Sequence, residues 1–425
     1  MKIVEEINGK NILLLQGPMG PFFKKLDHFF RKNAALTHRI CFNGGDYYYA
    51  NKDNITHYRD EKFRWELFLK TFLIKHRIDC LFLYGDCRFY HKKAITIANE
   101  LDIAVYVFEE GYIRPDFITL EKGGVNAFSN LPRDRKPYIQ SDSTEIDLTS
   151  NNPIKYSYYR WTFHTIIYYL SMRAMWHRYP FYVHHRNSSV IREMAWGLRN
   201  GIRKYIYNYA EEKFNRRFAG DLSKKYFFVP LQTMGDFQIC VHSQFDNTEN
   251  FIQTVMTSFA RYADSNALLV FKHHPIDRGR KDYSSTIFRL ANHLGIKKRV
   301  YAVHDVHLPT CLINALGTIT INSTVGIASL FHKTPTMVLG RAFYDIEGLT
   351  CRGMSLDKFW RDYIPPERGF FRRFRNYIIC HTQLNGSFYG GFPSEFSNNC
   401  PSVNMTPQST GSRFRKIDRT GSHAL

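Results

Sequence analysis

Val105-Tyr106-Val107-Phe108-Glu109-Glu110-Gly111 is a short apolar run of β-branched and aromatic residues that stops at two acids and a glycine. Such a run reads as a strand buried on both faces, as in parallel sheets, and its polar end marks a strand-end loop. The pattern recurs upstream at Ile12 to Gln16, Arg39 to Asn43 and Cys80 to Gly85, with amphipathic helical stretches between the runs. A second series begins near Tyr226: Phe227 to Gln232, Leu268 to His273, Val300 to Val303, Thr318 to Asn322 and Thr336 to Gly340. Apolar runs alternating with helical stretches predict an α/β fold of two Rossmann-like domains facing a central cleft. Loops at the carboxyl ends of parallel strands are where such sheets bind ligands. The expected organisation is a first domain over 1–150, a distinct segment over 151–225, a second domain over 226–389 and a mobile Ser, Asn, Pro and Thr-rich tail over 390–425.

Charge narrows the partner. Among 425 residues, 58 Lys and Arg face 38 Asp and Glu, a net charge of +20. A surplus that large implies an anionic partner: nucleic acid, a phosphorylated substrate or acidic lipid. Half of it lies in 151–225, where 14 Lys and Arg face 4 Asp and Glu. Eleven aromatics fall within Tyr156 to Arg186, interleaved with Arg160, Arg173, Arg178 and Arg186. Trp, Tyr and Arg suit a bilayer interface, because their apolar bodies sink while their polar ends stay among headgroups. The alternative is a basic amphipathic helix packed on the protein with its charge solvated. Single-stranded nucleic acid ranks below both, since no recognisable nucleic-acid module accompanies the aromatics. The start lacks the pattern of a secretory signal, no stretch approaches the roughly 20 apolar residues of a spanning helix, and the eight cysteines are scattered. These features predict a cytoplasmic protein with reduced thiols.

Three motifs carry chemistry. In Val107 to Pro115, Glu109 and Glu110 sit at a strand end before Gly111, so one acid faces the cleft as general base or as nucleophile on an anomeric carbon. Arg114 can hold a carboxylate or phosphate bidentately. The competing reading is a solvated turn. In Phe271-Lys272-His273-His274-Pro275, the proline forces His274 into an extended conformation, where its ring can donate to a leaving phosphate. Lys272 and Arg278 add positive charge, and a structural histidine is the alternative. Adjacent histidines before a proline lack the i, i+4 geometry of a helical metal site, so no metal is expected. Asn322-Ser323-Thr324 follows a strand and opens a helix, offering hydroxyls and backbone N–H groups to a phosphate, or simply capping the helix. Walker A, GxSxG and GxGxxG sequences are absent.

Together these residues resemble a known family. The stretch Gln16 to Phe23, the Glu-Glu-Gly loop, Pro230-Leu231-Gln232 with Asp236 and Gln238, His242-Ser243, Lys272 to Pro275 with Asp277-Arg278-Gly279, Asn322 to Gly326, Tyr344-Asp345-Ile346 with Gly348-Leu349-Thr350, and Phe359-Trp360 with Thr382 to Tyr389 look like the KpsS/LipB capsule polysaccharide proteins. The likeness runs from about residue 10 to Tyr389 and leaves out only the tail. The paired acids, His-Pro and Ser-Thr also resemble the motif set of bacterial sialyltransferases of the GT-B type.

The resemblance implies a GT-B-like retaining β-Kdo glycosyltransferase, peripheral on the inner face of the cytoplasmic membrane, that starts the linker of a capsular polysaccharide. The implied donor is CMP-Kdo, the acceptor a phosphatidylglycerol-type lipid, and the partners a KpsC-type transferase and the capsule export machinery. No cofactor and no nucleic acid are implied. Glu110, Glu109 and His274 would be catalytic. His273, Pro275, Lys272, Ser323, Thr324, Asn322, Gln232 and Arg278 would hold the donor. Gly17, Gly20, Phe22, Asn43, Asp46, Asp86, Arg88 and Arg114 would line the acceptor side, with His242, Asp277 and Asp345 as further nucleotide or supporting contacts. The competing expectations are a non-catalytic export adaptor and a transferase using another CMP-sugar acid.

Overall fold

The computed structural model describes residues 3–141, 154, 158–184, 190–233 and 243–393; Asp236, Gln238, His242, Arg186 and nearly all of the expected tail lie outside them. The first unit supplies strands β1 (Asn11–Leu14), β2 (Leu36–Cys41), β3 (Ile55–His57), β4 (Cys80–Tyr84), β5 (Ala104–Glu110) and β6 (Phe117–Lys122). The second supplies β7 (Tyr226–Pro230), β8 (Leu268–Lys272), β9 (Val300–Val303), β10 (Gly317–Thr320) and β11 (Thr336–Val338), all in parallel pairs in the order β11-β10-β7-β8-β9. A last strand, β12 (Gln383–Asn385), returns to the first sheet, whose order is β12-β6-β5-β4-β1-β2-β3. The pairs from β5 through β3 are parallel, and β6 and β12 are added antiparallel. The expected α/β class with two parallel-centred sheets is what forms.

Alternation of side chains explains why both sheets are covered on both faces. On one face of the first sheet Leu13, Ile40, Leu81, Leu83, Val105 and Val107 share a core with Trp65, Leu69 and Ala94 of the flanking helices. On the other, Ile12, Leu14, Phe82, Tyr106 and Phe108 pack on Phe22, Phe23, Leu26 and Phe30 of the helix Phe22–Lys32. Phe227, Val229, Leu269 and Phe271 on one side, and Tyr226, Phe228 and Val270 on the other, do the same for the second sheet.

Two features depart from the expected boundaries. Residues 383–389 belong with the first sheet rather than the second: Gln383 pairs with Thr119 on β6, and Leu384 and Phe388 enter the first core. The described helices of the middle segment pack on both units. Its helix Tyr158–Ala174 lies on the short helix Gly44–Tyr48, where a Cβ on Gly44 would stand 2.2 Å from the Ser171 carbonyl. Its helix Val190–Ala219 lies on the second unit, where a Cβ on Gly279 would stand 2.2 Å from the Trp196 carbonyl. Glycine at both places lets backbone meet backbone.

Candidate active site at the strand ends

β5 carries the two acids, and its pleat sends them to opposite faces. Glu109 takes the face of Val105 and Val107. Its carboxylate accepts the Glu110 backbone N–H at 2.9 Å and lies 3.7 Å from where a Cβ would stand on Gly85, beside Arg88. Burial pushes its pKa up to about 7, with Glu110 and Asp86 adding to the rise and Arg88 opposing it. Glu110 takes the face of Phe108, where the Tyr84 hydroxyl lies 3.5 Å from its Oε1. Gly111 is obligatory, since a Cβ there would stand 2.0 Å from the Phe117 carbonyl oxygen.

Tyr112 fixes the loop that follows. Its N–H donates to Gln383 Oε1 at 2.9 Å, and its hydroxyl donates to Glu121 at 2.6 Å while accepting from the Asn126 N–H at 2.6 Å. The Tyr112 ring packs against Phe343 of the second unit, tilted by 39° with centroids 4.4 Å apart. The neighbouring Tyr344 donates its hydroxyl to the Ser323 carbonyl, so the acid loop and the Ser-Thr loop are tied through one aromatic bridge.

His274 lies at the end of β8 as the cap of a short turn, Pro275–Gly279. Its Nδ1 accepts from the Ile276 N–H at 3.2 Å. Burial, then the charges of Lys272, Arg114, Arg278 and Arg280, lower its pKa to about 3. The ring is therefore neutral, and with Nδ1 occupied as acceptor its proton resides on Nε2 as a fixed donor. Arg114 belongs to the acid loop, so its charge acting on His274 brings the first and second motifs together.

The remaining predicted donor residues divide. Ser323 and Thr324 are half-exposed; the Ser323 hydroxyl accepts the Val325 N–H at 3.2 Å, and the Thr324 hydroxyl makes no capping bond to the helix Val325–Phe331. Asn322 Oδ1 accepts from Gln232 Nε2 at 2.9 Å, linking the loops after β10 and β7. Pro275 is exposed. His273, in contrast, is a buried structural residue: Nδ1 faces the Val303 carbonyl at 3.2 Å and Nε2 accepts from the Tyr283 N–H at 2.9 Å. Buried Lys272 donates to the carbonyls of His273 and His304, both at 3.3 Å, and burial lowers its pKa. Arg278 is held by Asp305 at 2.7 Å and by the Pro275 carbonyl at 2.9 Å. Lys272 and Arg278 thus set the field of the site while bonded to the protein. Asp277 is buried, and Asp345 accepts from Thr350 at 2.6 Å, a bond within its own loop.

On the acceptor side Phe22, Asn43 and Asp46 are interior. Phe22 packs edge-on to Phe108 and Phe388. Asn43 caps the helix Gly44–Tyr48, accepting the N–H groups of Gly45 and Asp46. Asp46 is buried, accepts from Tyr168, Gln16 and the Phe42 N–H, and has its pKa raised by burial. Gly17 and Gly20 are also buried, Gly17 against the Phe23 ring and Gly20 near His164 and Tyr389. Asp86 is buried and accepts the Val125 N–H at 2.9 Å. Arg88 donates to Gln16 Oε1 at 3.0 Å, and Arg114 is exposed.

One cluster escaped the sequence reading. Glu211, from the helix Val190–Ala219, accepts the His304 N–H at 2.8 Å, the Asp305 N–H at 2.7 Å and His304 Nδ1 at 3.1 Å. Against the opposing pull of burial, these donors hold Glu211 below the usual carboxylate range, and Asp282 and Glu211 raise His304. His273, Asp282 and His304 have ligand atoms within 4.8 Å of one another, yet the two imidazoles stack at 4.1 Å and 10°. Stacked rings send their in-plane lone pairs side by side rather than toward one ion, so the cluster fits hydrogen bonding better than metal ligation. No local pattern announces Glu211; only packing brings it to β9.

The capsule polysaccharide biosynthesis protein family matches this chain over residues 79–389. The chain belongs to that family. It is 37% identical to the capsule polysaccharide export protein KpsS of Escherichia coli over 384 residues, which span 90% of this chain and 98% of that one. It is also 37% identical to the capsule polysaccharide modification protein LipB of Neisseria meningitidis serogroup B over 401 residues, 92% of this chain and 95% of that one. The expected KpsS/LipB resemblance is thereby borne out. Among solved structures, the β-Kdo 2,7 transferase KpsC of Thermosulfurimonas dismutans aligns with 15% identity and a TM-score of 0.41, covering 89% of this chain and 93% of that one. Among the described residues no helix is long and apolar enough to cross a membrane.

Proposed function

We propose that this member of the capsule polysaccharide family is a retaining β-Kdo glycosyltransferase that moves Kdo from CMP-Kdo to a phosphatidylglycerol-type lipid. The observation that supports the reading is the packing of Tyr112, in the acid loop, on Phe343, with ring centroids 4.4 Å apart, beside Tyr344, whose hydroxyl donates to the Ser323 carbonyl: the acid pair and the Ser-Thr loop share one cleft. In the first step a carboxylate attacks the anomeric carbon as the bond to the CMP phosphate breaks, and the phosphate takes the electron pair. His274 Nε2–H, with Ser323 and Thr324, donates to the departing oxygens, and Lys272 and Arg278 offset the charge. No cofactor is required. In the second step an acceptor hydroxyl attacks the glycosyl ester, restoring the carboxylate, and its proton passes to a base. Both acids end β5, so a sugar lying beyond the strand end meets one from each face: Glu109, held near 7, suits that base, and Glu110, beside the Tyr84 hydroxyl, is then the nucleophile.

Purified protein incubated with CMP-Kdo and a fluorescent phosphatidylglycerol analogue should add the mass of one Kdo to the acceptor. No gain from folded protein refutes transfer and leaves the export-adaptor reading; a gain from CMP-sialic acid instead changes the donor. Glu109→Gln should accumulate a glycosyl adduct on the peptide containing Glu110, and an adduct found on Glu109 in Glu110→Gln reverses the two roles. A KpsC-type transferase extending the product, at the inner face of the cytoplasmic membrane, completes the proposal.

A further inference from the structure

The helix Val190–Ala219 has two faces with opposite fates. Glu193, Trp196, Asn200, Arg203, Tyr207 and Glu211 recur at three- and four-residue intervals and face the second unit. Glu193 pairs with Arg280 at 2.6 Å, Asn200 donates to the Pro275 and Ile276 carbonyls, Arg203 donates to the Arg278 carbonyl at 2.9 Å, and Tyr207 stacks on His304 at 4.1 Å. This inner face holds the His-Pro loop from behind. Ile191, Met194, Leu198, Ile202, Tyr205 and Tyr209 recur with the same period on the opposite side, half a turn away at 3.6 residues per turn. They are bare: Ile191, Leu198 and Tyr209 are 74%, 70% and 87% exposed. The adjacent helix Tyr158–Ala174 repeats the pattern with exposed Tyr159, Phe163, Ile166 and Leu170, and Lys204 sits over the Tyr158 ring at 4.4 Å between the two helices.

An apolar stripe of this extent on a soluble face marks a docking surface. Charge selects what docks. The two helices carry nine Lys and Arg against three acids, of which Glu193 and Glu211 are buried. Arg192 and Arg199 flank the stripe, and Lys213 and Arg216 continue it toward the helix end. A second copy would bring the same positive surface against itself, whereas an anionic bilayer neutralises it and accepts the apolar side chains at the headgroup boundary. We infer that the outer faces of these two helices lie in the interface of an anionic membrane. The inner face of the same long helix then sets the His-Pro side of the cleft at a fixed distance from the lipid surface. The inference rests on the proposed lipid acceptor for its purpose, and on exposure and charge for its existence.

Flotation of full-length protein with phosphatidylcholine vesicles, with and without phosphatidylglycerol, tests it in the absence of donor, so failure of catalysis does not affect the outcome. The wild type should float only with phosphatidylglycerol, and less at high salt. The variant Leu198→Gln, Ile202→Gln, Tyr205→Gln keeps good helix formers at positions that are each more than half exposed; it should bind anionic vesicles at least tenfold more weakly. Hydrogen exchange on the wild type supplies a readout independent of the variant's folding: vesicles should slow exchange in 158–174 and 190–219. Flotation of the variant equal to wild type, no flotation of the wild type, or unchanged exchange overturns the inference. A sedimenting dimer that the variant abolishes, without vesicle binding, overturns it in favour of a second copy.

Discussion

The buried position of Glu109 predicts a pH dependence that no surface carboxylate produces. With its pKa raised to about 7 by burial, Glu109 is protonated in acid and ionised in alkali across the neutral range. A base must be ionised to take the acceptor proton, so turnover at saturating substrates should rise with pH and level off above the limb. For a single group titrating near 7, about a tenth of the plateau rate is expected at pH 6 and about nine-tenths at pH 8. His274 adds no limb in this window, because burial and the surrounding cations hold it at about 3. Arg88 lies beside Glu109 and opposes the rise, so Arg88→Met should move the limb to higher pH. The assay is CMP release from pH 5.5 to 8.5, with Glu109→Gln as the reference lacking the group. His304, the other group raised by its carboxylate partners, is separated by the same series, since Arg88→Met leaves its neighbours intact. A flat profile, or a limb that Arg88→Met leaves in place, refutes the assignment of Glu109 as the base.

His274→Ala should lower kcat by roughly a hundredfold to a thousandfold with little change in CMP affinity, as expected when one donor to developing charge is removed; near-normal turnover takes His274 out of the leaving-group role. Gly111→Ala places a Cβ 2.0 Å from the Phe117 carbonyl, so it should destabilise the fold by about 3 kcal/mol or more in urea unfolding, and a neutral result contradicts the loop geometry. Glu211→Ala strands two backbone N–H groups and the His304 ring, at a cost of about 3–5 kcal/mol. Glu211 is lowered, so its contribution is present above the ordinary carboxylate pKa and lost as pH falls through its folded value. His304 is raised, so its contribution is present below the ordinary imidazole pKa and lost as pH rises through its folded value. The stability difference between wild type and Glu211→Ala should therefore shrink toward both acid and alkaline pH, and a difference constant with pH refutes the pairing.

The alternation of apolar runs and helical stretches made both sheets legible, because a strand buried on two faces has little choice but to be apolar throughout. β3 and β12 are three-residue edge strands, where the apolar signal is weakest, and β6, six residues long and interior to the sheet, breaks its apolar run with Thr119, Glu121 and Lys122. The return of β12 depends on Gln383 bonding the Tyr112 N–H, a pairing across 271 residues that no local pattern encodes. At the site, the motif residues at strand ends lie where expected, but burial distinguishes them: His274 keeps a ring nitrogen for a ligand, whereas His273 spends both on the backbone. Adjacent residues on a strand point to opposite faces, and sequence alone does not say which face is the cleft. Asn43 and Asp46 show the same ambiguity, since a polar residue at a strand end serves equally as a cap or as a ligand contact.

The way the two halves are joined bears on what the cleft accepts. Arg114 from the acid loop faces a His274 whose other neighbours are Lys272, Arg278 and Arg280, so like charges converge where the units meet. Alone, these groups would push the loops apart. Tyr112 on Phe343, and Tyr344 on the Ser323 carbonyl, keep them together through apolar packing and a hydrogen bond that does not depend on charge. Lys272 and Arg278 are also bonded in place, so they need no reorganisation to meet a ligand. A positive site assembled against its own repulsion gains most from an anion, and gains more as negative charge grows on that anion. A phosphate ester losing its glycosyl bond develops charge in that way, so under the proposed transfer these bonded cations would favour departure of the nucleotide more than its simple retention.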